Sequence, residues 1–233
     1  MSLTYDPVEA LAALTRGDRA LAAVVRKAGP FTLTPAKMAS PFASLLRAIV
    51  SQQLSGKAAT TIFNRVVALL PNPTHPSPEA VLTVDGASLR GAGLSQNKLL
   101  SIRDLAAKTL DGTVPTLQKL RKLPDAEIVE RLTQVRGIGV WTVEMLLMFR
   151  LGRPDVFPVD DLGVRRGVML TYQYAEMPKP KSAELAAIGE RWRPFRSVAS
   201  WYMWRACEVL GPKTAAEKAT SPNIVKRKVR TKT

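Results

Sequence analysis

The sequence predicts an all-α fold, for two reasons. Apolar residues recur at helical spacing along most of the chain, and no run alternates for long enough to build a sheet. In addition, two amphipathic helices flank the tight turn Gly137-Ile-Gly139. Their apolar faces consist of Ile128, Val129, Leu132 and Val135 before the turn, and of Val143, Leu146 and Leu147 after it.

The turn itself indicates a site for a phosphate. Gly137 and Gly139 keep it free of side chains, so positive φ angles and a close approach of the backbone to a partner are allowed. The helix that follows begins with backbone N–H groups that have no partner inside the helix, and such groups bind anions.

Local signals place the other helices. Ser40 and Pro41 are a cap and a first-turn residue, Ser55 caps the next helix, and Gly17-Asp18 can divide the first helical stretch. Besides the two hairpin helices, helices are predicted at residues 6–28, 41–51, 56–70, from 78, at 85–90, 95–110, after 167, at 182–191 and at 198–210.

The chain is strongly basic. Its 233 residues contain 34 Lys or Arg against 19 Asp or Glu, for a net charge of +15. Residues 212–233 are polar and basic without helical periodicity, which predicts a flexible tail. Most of the positive excess lies in the rest of the chain, so the body of the protein is also expected to bind a polyanion.

Cysteine and histidine are too few for several kinds of site. The single Cys207 excludes an internal disulfide and a four-cysteine iron–sulfur or zinc site. The single His75 lies in a Pro-rich loop, and we assign it no role. Catalysis therefore has to use carboxylates, lysines or backbone, and no cofactor is expected. No apolar run approaches membrane-spanning length and no signal-peptide pattern is present, which predicts an intracellular protein.

Asp160 and Asp161 are the candidate catalytic pair. They follow Phe157-Pro158-Val159 and open a helix, so one can cap it while the other is held ionised near the helix N-terminus. A carboxylate fixed in this way can stabilise a developing positive charge. The spacing alone favours two plain caps, just as the position of Gln52-Gln53 alone favours a helix end with hydrated amides.

Residues 132–167 resemble the helix–hairpin–helix, Gly/Pro-rich loop and aspartate signature of a DNA glycosylase superfamily, in its alkylated-base branch. The resemblance extends over about residues 38–211. It implies a single domain, 1–211, with two helical lobes and a cleft for DNA between them. One lobe would contain residues 41–167, the other residues 1–40 and 168–211, and the tail 212–233 would follow.

The resemblance assigns the chemistry to Asp161, which follows Trp141 by 20 residues, with Asp160 as a supporting or capping residue. Trp141 stands at the hairpin position where glycosylases that also nick the strand carry a Schiff-base lysine, so base excision without lyase activity is implied. Trp141 and Trp204 align with aromatics of the base pocket. Met145 replaces a tyrosine of the best-studied subgroup, a departure that bears on substrate range.

The same resemblance implies several contacts with DNA. Gln53 aligns with the residue that fills the gap left by an extruded nucleotide. Gly137, Gly139 and Thr142 are the expected phosphate contacts, and hairpin carbonyls would hold a monovalent cation that bridges to the DNA, with no catalytic metal. Lys98 lies in the first turn of its helix, where it either meets a phosphate or is hydrated.

Together these residues predict a monofunctional DNA glycosylase. It would flip alkylated purines such as 3-methyladenine and 7-methylguanine out of duplex DNA and hydrolyse their N-glycosidic bond, starting base excision repair. We expect a monomer with no membrane partner. Three alternatives stay open: a non-catalytic helix–hairpin–helix module, a sibling glycosylase for oxidised or mismatched bases, and a scaffold whose basic tail alone binds nucleic acid.

Overall fold

The predicted all-α fold is confirmed. A computed structural model of the chain describes residues 3–173 and 182–212, and this part contains helices and no strand. The helices are α1 (Pro7–Gly17), α2 (Arg19–Ala28), α3 (Pro41–Ser51), α4 (Gly56–Ala68), α5 (Pro78–Thr83), α6 (Gly86–Gly91), α7 (Gln96–Leu110), α8 (Leu117–Leu120), α9 (Asp125–Leu132), α10 (Val140–Leu146) with a π-helical continuation (Leu147–Leu151), α11 (Leu162–Thr171), α12 (Ser182–Glu190) and α13 (Arg196–Val209).

Serine caps begin four of these helices, α3, α4, α5 and α7, and Ser77 Oγ caps α5 by accepting the Ala80 N–H at 3.2 Å. The Oγ atoms of Ser40, Ser55 and Ser95 accept backbone N–H groups of α3, α4 and α7 at 3.0, 3.5 and 3.3 Å. Each cap satisfies a donor that the first helical turn cannot pair internally. The predicted apolar face of α3 is buried throughout, at Phe42, Leu45, Leu46, Ile49 and Val50.

Two hydrophobic clusters define the two lobes. The first lobe is built from the apolar faces of α3 to α10, and the second lobe joins α1 and α2 to α11, α12 and α13. The change of cluster falls between Val156 and Phe157, whereas the sequence placed the lobe boundary at residue 167. Helix α11 therefore packs with α13 in the second lobe, because Val164 and Val168 face that cluster and not the hairpin.

Helix α11 approaches α13 closely at two glycines. A Cβ at Gly167 would lie 2.0 Å from the Met203 carbonyl oxygen, and one at Gly163 would lie 2.6 Å from Cδ1 of Trp204. Because these glycines are four residues apart, they share one face of α11. Their contact with α13 sets the N-terminus of α11 beside the Trp204 indole.

Asp18 connects the N-terminal helices to the rest of the second lobe. The helical stretch breaks at Gly17-Asp18 as predicted, and Asp18 Oδ1 accepts the Leu21 N–H at 2.9 Å to cap α2. Its Oδ2 accepts Trp192 Nε1 at 3.3 Å and the Tyr172 hydroxyl. Burial opposes ionisation of this carboxyl, but the hydrogen bonds outweigh it and lower the pKa of Asp18.

The predicted tail, 212–233, lies outside the described residues except for Pro212. Across residues 3–173 and 182–212, no helix has the length and apolar character needed to cross a membrane. The grouping of residues 1–211 into one domain stays a prediction.

Replacing Asp18 with Ala is expected to lower the free energy of unfolding by about 2–3 kcal/mol, because it removes a helix cap and a shared hydrogen-bond acceptor together. Asp6→Ala is the matched control, since Asp6 caps α1 through a single bond from Val8 N–H at 2.8 Å and should cost about 1 kcal/mol. Chemical denaturation measures both losses.

The difference between these variants should depend on pH. Because the folded-state pKa of Asp18 is lowered, its stabilisation is fully present above the unfolded-state pKa and is lost as pH falls through the folded-state value. Equal losses for the two variants at neutral pH would show that Asp18 acts as a cap and no more.

Candidate active site

Asp161 is the N-cap of α11. Its N–H bonds to the Pro158 carbonyl at 3.0 Å and closes a turn, and its Oδ1 accepts the Val164 N–H at 2.8 Å. Of the two roles considered for Asp160, the capping role is wrong, and the supporting role stays a prediction. Since α11 starts directly after Asp161, only that residue reaches the first turn. The Asp160 side chain is 78% exposed, and its Oδ1 lies 3.8 Å from Arg165 Nη1.

Two tryptophan side chains hold the Asp161 carboxylate. Nε1 of Trp141, on α10, donates to Oδ2 at 2.8 Å, and Nε1 of Trp204, on α13, donates to Oδ1 at 2.8 Å. With the Val164 N–H, the carboxylate accepts three hydrogen bonds. Bonds of this kind to a charged acceptor are stronger than bonds between neutral groups. Because α10 and α13 belong to different lobes, the carboxylate is fixed at the junction between them.

A cavity of about 580 Å³ opens beside Trp141. It lies between α3 and the α10 helix with its π-helical continuation, and its volume is typical of small-molecule sites. Trp141 is 48% exposed here, so part of its ring can contact a bound group while Nε1 stays on Asp161. Side chains of Ser44, Arg47 and Ser51 line one wall, and those of Met145, Phe149 and Arg150 line the other.

The structure brings Trp141 and Met145 into this cavity but does not bring Trp204 there. Trp204 packs on Phe149 with ring centroids 5.6 Å apart, and Phe149 occupies the wall in its place. The Trp204 indole instead donates to Asp161, and its place in a base pocket stays a prediction. Trp201 packs against the second hydrophobic cluster.

The loop that follows α3 is tied to the hairpin and to α7. Gln52 Nε2 donates to the Gly137 carbonyl at 2.8 Å, while Lys98 Nζ donates to the Val50 and Gln52 carbonyls at 2.7 Å each. Carbonyls at a helix C-terminus have no partner inside the helix, so an ammonium group satisfies them. Two of the three ammonium N–H groups of Lys98 are therefore used inside the protein, and burial lowers its pKa; a contact of Lys98 with phosphate stays a prediction.

Gln53 lies at the tip of this loop. Its backbone has φ 58°, in the left-handed region that side chains other than glycine seldom adopt. The bonds of Gln52 to Gly137 and to Lys98 anchor the residue directly before Gln53. Gln53 is exposed and lines the cavity, and its role as a wedge stays a prediction.

The hairpin requires glycine at one of its two glycine positions. Gly137 has φ 78°, and a Cβ there would lie 2.8 Å from Ser101 Oγ. Gly139 has φ −94° with open space around it, so its missing side chain matters only to a group approaching from outside. Thr142 was expected to contact phosphate; instead its side chain is buried at the cavity wall and its N–H bonds to the Gly139 carbonyl at 3.0 Å.

The hairpin could hold a monovalent cation through backbone oxygens. The Val135 carbonyl accepts the Ile138 N–H at 3.0 Å and the Gly137 carbonyl accepts Gln52 Nε2 at 2.8 Å, which leaves a second lone pair on each oxygen. Hard cations take oxygen ligands of this type. In the part of the chain that the structure describes, no group of three or more His, Cys, Asp or Glu side chains could hold a metal ion.

Glu144 was not predicted as part of the site. It is half-buried on α10, three residues after Trp141, so the two side chains share a helix face. Burial, and then the charges of Asp160 and Asp161, raise the pKa of Glu144 to about 7. The helical spacing from Trp141 was a usable signal, but the sequence could not show that this face meets the Asp pair.

Residues 46–194 match the family model of the HhH-GPD superfamily base excision DNA repair proteins. The chain belongs to this superfamily. It is 40% identical over 173 residues to DNA-3-methyladenine glycosylase 1 of Schizosaccharomyces pombe, a match that covers 72% of this chain and 73% of the relative. Alkylbase DNA glycosidase-like protein mag2 of the same organism is 31% identical over 206 residues, which cover 88% of this chain and 96% of that protein.

A solved structure of the superfamily supports the fold. The Schizosaccharomyces pombe 3-methyladenine DNA glycosylase Mag1, in complex with abasic DNA, aligns with a TM-score of 0.76 and 36% identity, over 88% of this chain and 100% of that one. The resemblance of residues 132–167 to the helix–hairpin–helix glycosylases, and to their alkylated-base branch, is confirmed by these matches.

Trp204→Phe tests whether the hydrogen bond from Trp204 to Asp161 contributes to the chemistry of this HhH-GPD protein. Phenylalanine keeps the packing on Phe149 but has no N–H for Oδ1, and a hydrogen bond to a charged group contributes about 1.5–3 kcal/mol. We expect single-turnover base release from damaged DNA to fall by roughly tenfold or more, with little change in the thermal midpoint.

Trp201→Phe is the control for this variant. It removes the same atoms from the same helix, but Trp201 packs on Phe31 at 5.1 Å and on Tyr202 at 4.8 Å and makes no contact with Asp161. Its base release should match wild type. An equal loss of rate in both variants would mean that the Trp204 hydrogen bond does not matter to the chemistry.

Proposed function

We propose that this HhH-GPD protein is a monofunctional DNA N-glycosylase that removes alkylated purines such as 3-methyladenine and 7-methylguanine from duplex DNA. One observation carries the proposal: the Asp161 carboxylate is fixed by Trp141, Trp204 and the start of α11 beside a cavity of about 580 Å³. The names of the two relatives, a DNA-3-methyladenine glycosylase and an alkylbase DNA glycosidase-like protein, support the same substrate class.

The proposed chemistry needs a fixed anion. When the N-glycosidic bond breaks, the deoxyribose gains oxocarbenium character, and a carboxylate held in place stabilises that charge without reorganising. Asp161 is already oriented by three N–H donors before substrate arrives. An alkylated purine leaves as a neutral base, so a strong general acid is not required.

The cavity suits a flipped, electron-poor purine. The exposed part of the Trp141 ring offers a π-face to a cationic base, and Met145 offers a polarisable side chain where an aromatic would be more rigid. Two guanidinium groups also line the cavity, each held by the protein: Arg47 lies over the Phe63 ring at 4.9 Å, and Arg150 donates to the Lys37 carbonyl at 3.0 Å. They can donate hydrogen bonds to acceptors on the base edge.

Strand cleavage is not part of the proposed activity. A lyase step needs an amine that forms a Schiff base at the sugar. Within the described residues, the side chains that line the cavity include no lysine, and the nearby Lys98 ammonium is bonded to two carbonyls. Trp141 occupies the hairpin position that a catalytic lysine would need.

The proposed partner is duplex DNA, bound by a monomer that uses no cofactor and acts on DNA inside the cell. The open surface at Gly139 and the start of α10 would meet the phosphate backbone, and Gln53 would enter the space left by the flipped nucleotide. A net charge of +15 favours this association and makes it weaken with salt.

Asp161→Asn is expected to lower the rate of base release from methylated duplex DNA by about 100-fold or more, because it removes the anion while keeping the side-chain shape. Chromatography of the released bases, with a separate assay for strand nicking, measures this. Asp160→Asn removes the same charge one residue earlier, but Asp160 is mostly exposed and bonds to neither tryptophan. Its rate should stay within about threefold of wild type.

Release of 3-methyladenine by wild type, with the strand unnicked and a clear difference between the two variants, would support the proposal. If wild type bound duplex DNA but released no base, the chain would be a non-catalytic DNA-binding module. Release of oxidised or mismatched bases in place of alkylated ones would place it among the sibling glycosylases.

A further inference from the structure

We propose that the exposed side of α11 contacts the damaged strand: Leu162 packs on a deoxyribose at or next to the flipped nucleotide, and Arg166 binds a phosphate of the same strand. The ligand is the sugar–phosphate backbone of duplex DNA. This rests on the proposed N-glycosylase function, because the chemistry at Asp161 is what brings DNA to the start of α11. Neither Leu162 nor Arg166 lines the cavity.

Helix α11 uses one side for the fold and leaves another side exposed. Gly163 and Gly167 lie on the side that packs on α13. Leu162 and Arg166 each precede one of these glycines, and one residue corresponds to a rotation of about 100° around a helix, so they share a different side. Leu162 is 83% exposed, and Arg166 is exposed as well. Because they are four residues apart, the two side chains are neighbours on the surface.

Leu162 lies inside the region that a bound substrate must cover. It directly follows Asp161, so the two Cα atoms are about 3.8 Å apart. In the proposed reaction, the deoxyribose of the damaged nucleotide must come close enough to the Asp161 carboxylate to be stabilised by its charge. Three hydrogen bonds fix that carboxylate, so the DNA has to approach it. A side chain exposed this close to the anion therefore meets that sugar or its neighbour along the strand.

The apolar character of Leu162 fits a deoxyribose. Single exposed leucines are common on protein surfaces and need no explanation by themselves. Beside a catalytic carboxylate, however, an apolar side chain can cover the C–H face of a sugar and remove water from it. Exclusion of water also strengthens the interaction between the Asp161 anion and a positive charge on the sugar. Leu162 would thus contribute to binding and to the surroundings of the anion.

Arg166 supplies a positive charge that the fold does not neutralise. Among the described residues, none forms an ion pair or a hydrogen bond with its guanidinium. Its neighbour Arg165 instead lies 3.8 Å from the Asp160 carboxylate. The Arg166 guanidinium lies beside the end of α13, since a Cβ at Gly211 would be 3.8 Å from its Nη2. A guanidinium left in this way can donate two parallel hydrogen bonds to one phosphate.

The order of charges along α11 fits this assignment. Asp160 and Asp161 are negative, and they would repel a phosphate placed at the start of the helix. Leu162 follows as a neutral residue, and Arg166 comes one turn later, about 6 Å along the axis. A strand laid along α11 can therefore present a sugar at the aspartate end and a phosphate at the arginine. The net charge of +15 attracts the duplex to the protein in the first place.

Leu162→Ala tests the sugar contact through equilibrium binding to duplex DNA that contains an abasic-site analogue, which requires no catalysis. The affinity should fall about tenfold, while the thermal midpoint should stay the same because the removed atoms are exposed. Val8→Ala is the matched control, since Val8 is 72% exposed on α1, and it should bind as tightly as wild type. Equal affinities for Leu162→Ala and wild type would overturn the sugar contact.

Arg166→Gln tests the phosphate contact through the salt dependence of the same binding. Each neutralised phosphate contributes about −0.9 to the slope of log K against log salt concentration, so the slope should become shallower by about one. Arg16→Gln removes an exposed charge from α1 and should keep the wild-type slope. A wild-type slope in Arg166→Gln, together with a lower thermal midpoint, would mean that Arg166 only stabilises the end of α13 and would overturn the phosphate contact.

These measurements distinguish the α11 contact from the proposed function. If wild type released no alkylated base, the N-glycosylase function would fail, whereas the binding of Leu162→Ala and Arg166→Gln would still decide the contact. Base release by wild type, with binding and salt slope unchanged in both variants, would keep the function and overturn the contact.

Discussion

The structure depends on the three hydrogen bonds that hold the Asp161 carboxylate. Trp141 reaches it from α10 of the first lobe, Trp204 reaches it from α13 of the second, and the Val164 N–H fixes it to the start of α11. The donors meet only because α11 lies against α13, which Gly163 and Gly167 permit through close contact. Packing of the second lobe therefore sets the position of the anion, while the hairpin of the first lobe supplies the cavity beside it. A small shift between the lobes would disturb the Trp141 bond, which is the one of the three that joins the first lobe to the second.

Much of this arrangement was accessible from the sequence, because it rests on local signals. Serine caps, helical spacing of apolar residues and the Gly-Ile-Gly turn placed the helices, and the family resemblance singled out Asp161 within the pair. The sequence misassigned Asp160 as the cap because a helix that begins one residue later exchanges the roles of two adjacent aspartates. It did not show that Trp204 donates a hydrogen bond to Asp161, because that bond joins residues 43 positions apart.

Contacts between distant segments could not be predicted from the sequence, because they depend on how the helices pack against each other. Lys98 opposes the dipole of its own helix and gains its partners from the end of α3, 46 and 48 residues away. Glu144 looks like an ordinary helix residue until α10 is set against the Asp pair, where burial and two like charges change its acidity. Carboxyl groups therefore cluster at the site of a chain whose net charge is +15. The positive charge of the chain attracts DNA, and the negative charge of the site acts on the deoxyribose.

The most direct test of Asp161 as a fixed anion is the affinity for two abasic-site analogues in duplex DNA, one with a cationic nitrogen in the sugar ring and one neutral. Wild type should bind the cationic analogue at least about 100-fold more tightly, because it resembles the oxocarbenium charge. Asp161→Asn should lose most of that preference and keep its affinity for the neutral duplex. The same preference in wild type and variant would contradict an anion at Asp161 as the source of catalysis.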